Sequence, residues 1–382
     1  MNNKYWFILG RETKLSIAEI DAFLGLLPLK YTGENILKIK NQAITPEIIN
    51  QLGGTVKIGE ELGKNLNLAE LKENIINNLK NRDGKIVFGM SFLGNVNKKL
   101  GIEIKKELKN LGKSVRYVTG EKTLNAAQII GNKIIIKGGD FLIENDKEKY
   151  NLAKTIAVQN VNEWSKRDFD RPGSDSLSGM LPPKLAMMMI NLSGAKKDDV
   201  ILDPFCGSGT ILTEAIYLGF KNLIGSDLSD KAIADTNKNI KWVLAHCHSE
   251  LTEESFDIFQ HDVAKLSQKI KQKSVDVIIT EPFLGKPLKG SEPKSFLLKQ
   301  TEELKNLYEK SFENFKNILK PNGIVVFIVP KFRFQDIWIT INILPKLKEL
   351  GFKIVPLLPD ENNLVYCRPD QKVGREIWKF TI

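Results

Sequence analysis

Cysteine and histidine are scarce in this sequence. Its 382 residues include three cysteines and three histidines, and an odd number of scattered thiols argues against a framework of disulfide bonds. We therefore expect a reducing compartment, with the cytoplasm as the default location. His246, Cys247 and His248 are consecutive. Adjacent residues rarely converge on one tetrahedral ion, so these three predict a surface cluster and no metal site.

Long apolar runs are also missing. No run approaches the ~18 residues that span a bilayer, so we expect neither a transmembrane segment nor a membrane partner. Residues 1–10 (MNNKYWFILG) contain one charge and a short apolar run, which is typical of a first strand rather than of a signal peptide. With 42% hydrophobic and 27% charged residues the composition is that of a globular protein, and the length predicts two or three domains.

Positive charge is concentrated in the first part of the chain. Residues 1–160 contain 25 Lys and Arg against 17 Asp and Glu, a net charge of +8, whereas the remainder contains 31 against 29, a net charge of +2. One interpretation is that the first part holds a polyanion on which the second part acts. The other is a solvated, lysine-rich surface without a partner.

The first 160 residues predict two small domains of mixed structure. Residues 1–65 predict an α+β domain and residues 66–160 an α/β domain, because apolar residues alternate in some segments and recur at helical spacing in others. The predicted elements are a strand (5–9), a helix (16–24), a strand (36–39), a helix (68–80), a strand (85–91), a helix (98–111) and a strand (114–118). Residues 131–137 and 141–143 predict a hairpin with a glycine-rich turn.

Residues 161–382 predict a third domain in which strands and helices alternate, the signature of a doubly wound, mostly parallel sheet. Its predicted strands are 200–202, 222–226, 256–260, 275–280 and 323–329, followed by a late pair at 353–357 and 375–381. Ligands of such sheets bind beyond the carboxyl ends of the strands. We therefore expect functional residues at those ends.

A glycine turn follows the first of these strands. Residues 203–210 (DPFCGSGT) lead from the strand into a helix, where glycines let the backbone approach a ligand and the helix N-terminus offers free N–H groups. No Gly-Lys-Ser/Thr follows, so the turn lacks the lysine of a triphosphate-binding loop. The turn predicts a site for a nucleotide-type ligand.

Three aspartates follow neighbouring strands. Asp227 lies 20 residues after Gly207, at the position from which a carboxylate accepts hydrogen bonds from both ribose hydroxyls of either NAD or S-adenosylmethionine. Asp262 could accept a hydrogen bond from an adenine amino group, although a helix-capping aspartate would look the same. Asp203 could neutralise an ammonium group, which S-adenosylmethionine has and the NAD pyrophosphate lacks. The set favours S-adenosylmethionine.

Two longer motifs resemble a known family. Residues 202–215 (LDPFCGSGTILTEA) resemble the cofactor motif of methyltransferases that act on exocyclic amino groups of nucleic acids. Upstream, residues 171–175 (RPGSD), 179–186 (GMLPPKLA) and 190–192 (INL) resemble a segment of the THUMP-containing tRNA guanine-N2 methyltransferases. In that family the segment precedes the cofactor motif, and its loop closes over the cofactor. Weaker similarity to that family is found at residues 7–10, 15–20 and 365–370.

This resemblance implies a fold, a cofactor and a substrate. The implied fold is a Rossmann-like methyltransferase domain (161–382) with a seven-stranded, mostly parallel sheet, preceded by a ferredoxin-like domain (1–65) and a THUMP-like RNA-binding domain (66–160). The implied cofactor is S-adenosylmethionine, and the implied methyl acceptor is guanine N2 in tRNA. The residues expected to bind the cofactor are Pro182, Asp203, Phe205, Cys206, Gly207, Gly209, Thr210, Asp227, Leu228, His261, Asp262 and Glu281.

The sequence departs from this family at the end of the fourth strand. The family pattern is Asp/Asn-Pro-Pro-Tyr, in which the acid or amide and a proline carbonyl accept hydrogen bonds from the target amine and the aromatic ring stacks on the flipped base. This chain has Glu281, Pro282, Phe283 and Leu284 (EPFL). Glu281, Pro282 and Phe283 are the expected catalytic residues, with Phe283 either stacking or structural. We expect a catalytic site of changed geometry, a site for another base or amine, or a site without activity.

Two other functions are compatible with these motifs. A DNA adenine-N6 or cytosine-N4 methyltransferase shares the cofactor motif, and a THUMP-like fold in the first half would favour RNA over DNA. An RNA-binding protein with a degenerate, non-catalytic methyltransferase domain would also explain the altered EPFL motif.

Overall fold

The computed structural model of the chain describes residues 4–25, 35–40, 44–95, 97–146, 148–173, 180–246, 252, 256–369 and 371–382. Residues 174–179 of the expected cofactor loop, together with Cys247 and His248, lie outside the described residues. The chain divides into two compact units. Unit 1 comprises Met1–Thr13, Gly33–Gln51 and Thr55–Trp164, and unit 2 comprises Lys14–Thr32, Leu52–Gly54 and Ser165–Ile382.

The helices and strands alternate along most of the chain. Up to residue 169 they are β1 (Lys4–Leu9), α1 (Thr13–Leu24), β2 (Ile36–Lys40), β3 (Thr55–Leu66), α2 (Leu68–Lys80), β4 (Ile86–Phe92), α3 (Lys98–Asn110), β5 (Val115–Val118), α4 (Ala126–Gly131), α5 (Ile134–Lys137), β6 (Gly138–Asp146), β7 (Lys149–Val158) and α6 (Val161–Phe169). The remainder are α7 (Pro183–Ser193), β8 (Ile201–Asp203), α8 (Thr210–Tyr217), β9 (Leu223–Asp227), α9 (Asp230–His246), β10 (Phe256–Gln260), β11 (Val275–Thr280), α10 (Lys294–Ile318), β12 (Leu319–Phe334), β13 (Ile337–Ile339), α11 (Leu344–Leu350), β14 (Lys353–Ile354), β15 (Asn363–Tyr366) and β16 (Val373–Thr381). Two 3₁₀ helices cover Pro46–Gln51 and Val263–Gln268.

Unit 1 is built on one seven-stranded sheet in the order β2-β1-β3-β7-β6-β4-β5. β3 extends across the predicted border at residue 65 and pairs antiparallel with both β1 and β7. The strands of the two predicted N-terminal domains therefore share a sheet. The ferredoxin-like fold of residues 1–65 stays a prediction. The THUMP-like fold of residues 66–160 also stays a prediction.

The helices predicted at 68–80 and 98–111 are confirmed as α2 and α3. α2 begins with a capping box, in which the side chain of Asn67 accepts from the Glu70 N–H and the side chain of Glu70 accepts from the Asn67 N–H. Its buried residues, Leu71, Ile75, Ile76 and Leu79, recur at the three- and four-residue spacing of one helix face. This spacing places one apolar stripe against the sheet.

The hairpin predicted around residues 131–143 is wrong. Ile134–Lys137 is a short helix, and the glycines assigned to the turn begin β6, which pairs antiparallel with β7. A Cβ atom on Gly138 would lie 2.2 Å from the Val87 carbonyl oxygen. Glycine therefore permits close approach of β6 to β4 at this position. A short apolar run such as Ile-Ile-Ile does not distinguish helix from strand.

Unit 2 contains the expected Rossmann-like sheet. Its strands lie in the order β10-β9-β8-β11-β12-β16-β14, with β13 beside β12 and β15 beside β16. The first five strands of this order are parallel to one another, whereas β16 is antiparallel to its neighbours. The seven-stranded, mostly parallel sheet is thus confirmed, with two further strands. The carboxyl ends of β8, β9, β10 and β11 consequently meet at one edge.

One face of this sheet is covered by α10. Phe312 and Tyr308, one helical turn apart, both contact Phe327 of β12 edge-on, with ring centroids 5.1 and 5.2 Å apart. Phe312 also meets Phe380 of β16 at 5.6 Å. Such edge-to-face contacts stabilise beyond the apolar area that they bury. This packing holds α10 against that face of the sheet.

Candidate functional site

The glycine turn between β8 and α8 has a backbone conformation that favours glycine. Gly207 and Gly209 have φ values of 54° and 79°, in the left-handed region. A Cβ atom on Gly209 would lie 2.9 Å from Cγ2 of Thr236, whereas one on Gly207 would have no atom of the described residues within 4 Å. Gly209 is therefore required by conformation and by packing, and Gly207 leaves open space for a ligand beside the turn.

Asp203 ends β8 with a buried carboxylate. Its Oδ1 accepts hydrogen bonds from Thr280 Oγ1 at 2.7 Å and from the Phe205 N–H at 3.2 Å, while no described residue donates to Oδ2. Burial raises the pKa of Asp203 to about 7, and the charges of Asp227 and Glu281 act in the same direction. A cation at Oδ2 would favour the ionised form. Asp203 thus has the properties of a site for an ammonium group.

Asp227 ends β9, the neighbouring strand. Its carboxylate oxygens each accept one backbone hydrogen bond, Oδ2 from Gly207 at 3.0 Å and Oδ1 from Ser229 at 2.9 Å. Two separate donors fix the plane of the carboxylate, and each oxygen keeps capacity for a further donor. This geometry is compatible with the expected contact to two ribose hydroxyls.

The residues after β10 lie next to Asp227. The His261 N–H donates to the Asp227 carbonyl oxygen at 2.9 Å. Asp262 Oδ1 accepts from the Ala264 N–H at 3.0 Å and caps the following 3₁₀ helix, so the capping role considered for this residue is confirmed. Its contact with an adenine amino group stays a prediction. Leu228 is 71% exposed and offers an apolar surface to a ligand.

The EPFL segment follows β11. Oε1 of Glu281 contacts Nε of Arg375 at 2.5 Å, and both side chains are largely buried. Burial raises the pKa of Glu281, and the charge of Arg375 acts against this rise. Glu281 Oε2 and the Pro282 carbonyl oxygen receive no hydrogen bond from the described residues. Two acceptors on consecutive residues could bind the two hydrogens of an amino group.

The backbone of this segment is fixed from α10. The Tyr308 hydroxyl donates to the Phe283 carbonyl oxygen at 2.7 Å, and Gln300 Oε1 accepts from the Lys286 N–H at 2.9 Å. Gly285, with φ of 94°, packs so closely that a Cβ atom would lie 2.6 Å from Cδ of Gln300. The Phe283 side chain is nevertheless 55% exposed. The backbone is therefore held while the aromatic ring is accessible.

A cleft of about 670 Å³ joins these residues, a volume usual for a small-molecule site. The expected site residues that line it are Asp203, Phe205, Cys206, Gly207, Thr210, Asp227, Leu228, His261, Asp262, Glu281, Pro282 and Phe283. Two expected residues are not in its lining. Pro182 precedes α7, and Gly209 packs against Thr236.

Similarity to known proteins agrees with this site. Residues 173–336 match the UPF0020 family, described as an RMKL-like methyltransferase domain. Over 147 residues the chain is 36% identical to the "Probable tRNA (guanine(10)-N2)-dimethyltransferase" of Methanothermococcus thermolithotrophicus, covering 38% of this chain and 78% of that protein. The chain belongs to the UPF0020 methyltransferase family.

Two further comparisons extend this result. The tRNA (guanine(10)-N2)-dimethyltransferase of Methanothermobacter thermautotrophicus is 30% identical to this chain over 190 residues. The aligned region covers 48% of each protein, so the chain spans about half the length of this relative. The crystal structure of TrmN from Thermus thermophilus aligns with 100% of this chain and 99% of its own chain, with a TM-score of 0.53 and 15% identity. The latter similarity shows the fold alone. The family match and the curated relatives confirm the expected class of S-adenosylmethionine-dependent methyltransferases.

The cleft of this UPF0020 methyltransferase fits S-adenosylmethionine. The buried carboxylate of Asp203 suits the ammonium group, Asp227 suits the ribose, and the open space beside Gly207 admits the ligand backbone. Burial raises the pKa of Cys206 well above its usual range, so its thiol stays protonated and is no nucleophile. The individual contacts of these residues with the cofactor stay predictions.

Sequence reasoning missed three polar residues around the site. Thr280 supports Asp203, Arg375 contacts Glu281, and Arg171 donates from Nη1 to Thr210 Oγ1 at 2.8 Å. Arg171 and Arg375 are buried. A signal existed for each arginine, since Arg171 begins the RPGSD motif and Arg375 lies two positions before a buried isoleucine on one face of β16.

Neither a metal-binding cluster nor a membrane-spanning helix is found among the described residues. The described residues contain no group of three or more His, Cys, Asp or Glu that could hold a metal ion. His246, at the end of α9, has its Nδ1 2.6 Å from the Trp242 carbonyl oxygen. Within the described ranges, every helix is too short or too polar to cross a bilayer.

Proposed function

We propose that this chain transfers a methyl group from S-adenosylmethionine to the exocyclic N2 of guanine in tRNA. Relatives named as tRNA (guanine(10)-N2)-dimethyltransferases support this substrate. The observation that carries the proposal is a pair of acceptors to which no described residue donates, Glu281 Oε2 and the Pro282 carbonyl oxygen. They lie in the cleft that also contains Asp203 and Asp227.

The acceptors suit the chemistry of an aromatic amine. S-adenosylmethionine, when bound, supplies a methyl group made electrophilic by its sulfonium. Glu281 and Pro282 would accept the two N–H hydrogens and so direct the nitrogen lone pair towards the methyl carbon. The Glu281 carboxylate would stabilise the positive charge that the target nitrogen gains on methylation. Its Oε2 would accept the proton that the nitrogen loses.

Base recognition would use Phe283. A guanine paired in a helix cannot reach a cleft, so it must be flipped out, and flipped bases stack on aromatic side chains. The exposed ring of Phe283, on a backbone held by Tyr308, suits this role.

The basic first part of the chain would hold the tRNA. Its net charge of +8 over residues 1–160 favours phosphate contacts, and the proposed ferredoxin-like (1–65) and THUMP-like (66–160) segments would recognise the shape of the RNA.

We propose the cytoplasm as the location of the protein.

The proposal is tested by incubating the protein with labelled S-adenosylmethionine and either unmodified tRNA or DNA, and identifying the methylated nucleoside after digestion. We expect labelled N2-methylguanosine from tRNA. Label in DNA alone would overturn the proposal in favour of a DNA amino-methyltransferase. Binding of cofactor and tRNA without transfer would identify a non-catalytic RNA-binding protein.

Two substitutions test the residue roles. Glu281→Gln should lower the transfer rate by about two orders of magnitude or more, because it removes the carboxylate, and should leave cofactor binding intact. Glu376→Gln, a change of the same kind at a partly buried residue of β16, is the matched control and should stay active. Asp227→Ala should weaken cofactor binding measured by calorimetry. Full activity of Glu281→Gln would show that the catalytic assignment is wrong.

A further inference from the structure

Arg375 reaches Glu281 from a strand two places away from β11 in the sheet. β16 pairs with β12, where Arg375 lies opposite Pro330, and β12 pairs with β11, where Phe327 lies opposite Thr280. The Arg375 side chain therefore spans the width of β12 to meet the carboxylate. A contact between residues so far apart in the sheet depends on the long reach of arginine.

The contact engages one half of the carboxylate only. Arg375 Nε meets Oε1, with side-chain exposures of 9% and 11% for the arginine and the glutamate. Oε2 receives no hydrogen bond from the described residues. Glu281 is thus held by one oxygen, while the other is available to the cleft.

Stability alone explains this pair poorly. Removing two charges from water costs free energy that their attraction does not reliably restore, so a buried ion pair is weak support for a folding role. A guanidinium beside a carboxylate does favour its ionised form and fixes its orientation. Both effects bear on what Glu281 does in the cleft.

We propose that Arg375 is a positioning residue for methyl transfer, which holds Glu281 by Oε1 so that Oε2 faces the target amine as an ionised acceptor. This inference rests on the proposed function and deepens it. It also offers a reason why a glutamate, whose side chain is longer than that of aspartate, can act as a fixed acceptor at position 281. The longer side chain has one more rotatable bond, and Arg375 removes that freedom.

A second ion pair that also involves a residue of β16 provides a matched control. Lys331 Nζ of β12 lies 3.7 Å from Glu376 Oε1 of β16, and each side chain is 14% exposed. Neither residue lines the cleft. Lys331→Gln therefore removes a cation from a similar pair without touching Glu281.

The test measures kcat against pH for Arg375→Gln, Arg375→Lys and Lys331→Gln, with unmodified tRNA and saturating S-adenosylmethionine. An opposite charge at contact distance lowers a carboxyl pKa by about 1–3 units. Loss of Arg375 should therefore move the acidic limb of the profile to higher pH by at least one unit. At pH values below the shifted acidic limb, the kcat of Arg375→Gln should be about tenfold or more lower than that of the wild type. Near pH 9 much of this difference should disappear. Arg375→Lys should be intermediate, and Lys331→Gln should keep the wild-type profile.

A double-mutant cycle separates positioning from damage to the fold. In a Glu281→Gln background, Arg375→Gln should cause little further loss, because the arginine acts through the glutamate. The proposal is overturned if Arg375→Gln lowers kcat equally at every pH, or if its effect persists in that background. It is also overturned if Arg375→Gln leaves the profile unchanged. Failure of wild-type protein to methylate tRNA would instead contradict the proposed function. If Arg375→Gln does not fold, the pH profile of Arg375→Lys is the test. An acidic limb at the same pH as in the wild type would then contradict the proposal.

Discussion

Replacing Asp203 by asparagine removes a buried charge with almost no change in shape. Burial raises the pKa of Asp203 from 3.8 to about 7 in the folded protein, so the folded state holds this proton more tightly than the unfolded state. The resulting stabilisation is complete below about pH 4 and is lost as the pH rises through about 7. At about 1.4 kcal/mol per pKa unit, the loss is about 4 kcal/mol at most.

Asparagine keeps Oδ1 as an acceptor for Thr280 and Phe205 and carries no charge. We therefore expect Asp203→Asn to exceed the wild type in free energy of unfolding by about 2–4 kcal/mol at pH 8, and to differ little at pH 4. Burial also raises the pKa values of Glu19 and Glu214 to about 7. Some pH dependence should accordingly remain in the variant.

Hydrogen exchange of peptides from β8 and β11 between pH 5 and pH 8, corrected for intrinsic exchange rates, measures this effect within unit 2. The stability difference between variant and wild type should grow with pH. A difference that is the same at pH 5 and pH 8 would refute the argument, because it would show that Asp203 does not titrate in this range.

The same carboxylate should couple cofactor binding to proton release. An ammonium group bound at Asp203 requires its ionised form, so wild-type affinity for S-adenosylmethionine should weaken about tenfold for each pH unit below 7. Asp203→Asn should bind more weakly at pH 8, with an affinity that hardly changes with pH. Calorimetry in two buffers of different ionisation enthalpy would detect the proton released by the wild type and its absence in the variant.

Three further substitutions test the turn and the EPFL segment. Gly209→Ala should destabilise by about 2–4 kcal/mol in thermal unfolding, because it adds a contact with Thr236 to about 1–2 kcal/mol of left-handed strain. Gly207→Ala should lose only the stability that corresponds to the left-handed strain, and its main effect should be weaker cofactor binding in calorimetry. Equal unfolding temperatures for Gly207→Ala and Gly209→Ala would contradict this expectation. Tyr308→Phe should lower the free energy of unfolding by about 1 kcal/mol, because it removes the hydrogen bond to Phe283. It should also lower the rate of methyl transfer to tRNA. Unchanged turnover with normal cofactor affinity would show that this hydrogen bond does not hold the catalytic segment.

Much of unit 2 could be predicted because its determinants are local. The strands at 256–260 and 275–280 were expected with the bounds observed, since each is a short, mostly apolar segment followed by a polar residue. Asp227 could be located because one strand–helix–strand repeat has a nearly constant length. The short helix at Ile134–Lys137 was missed because three isoleucines suit a helix or a strand equally.

Local patterns thus established the Rossmann-like sheet, the glycine turn and the class of cofactor, because turn geometry and strand periodicity depend on neighbouring residues. Tertiary structure alone decided the electrostatics of the site. The raised pKa of Asp203 arises from packing that excludes water, and no pattern of neighbours encodes that burial. The contact of Glu281 with Arg375 joins residues 94 positions apart, and it exists because the antiparallel strand β16 brings the arginine to the end of β11.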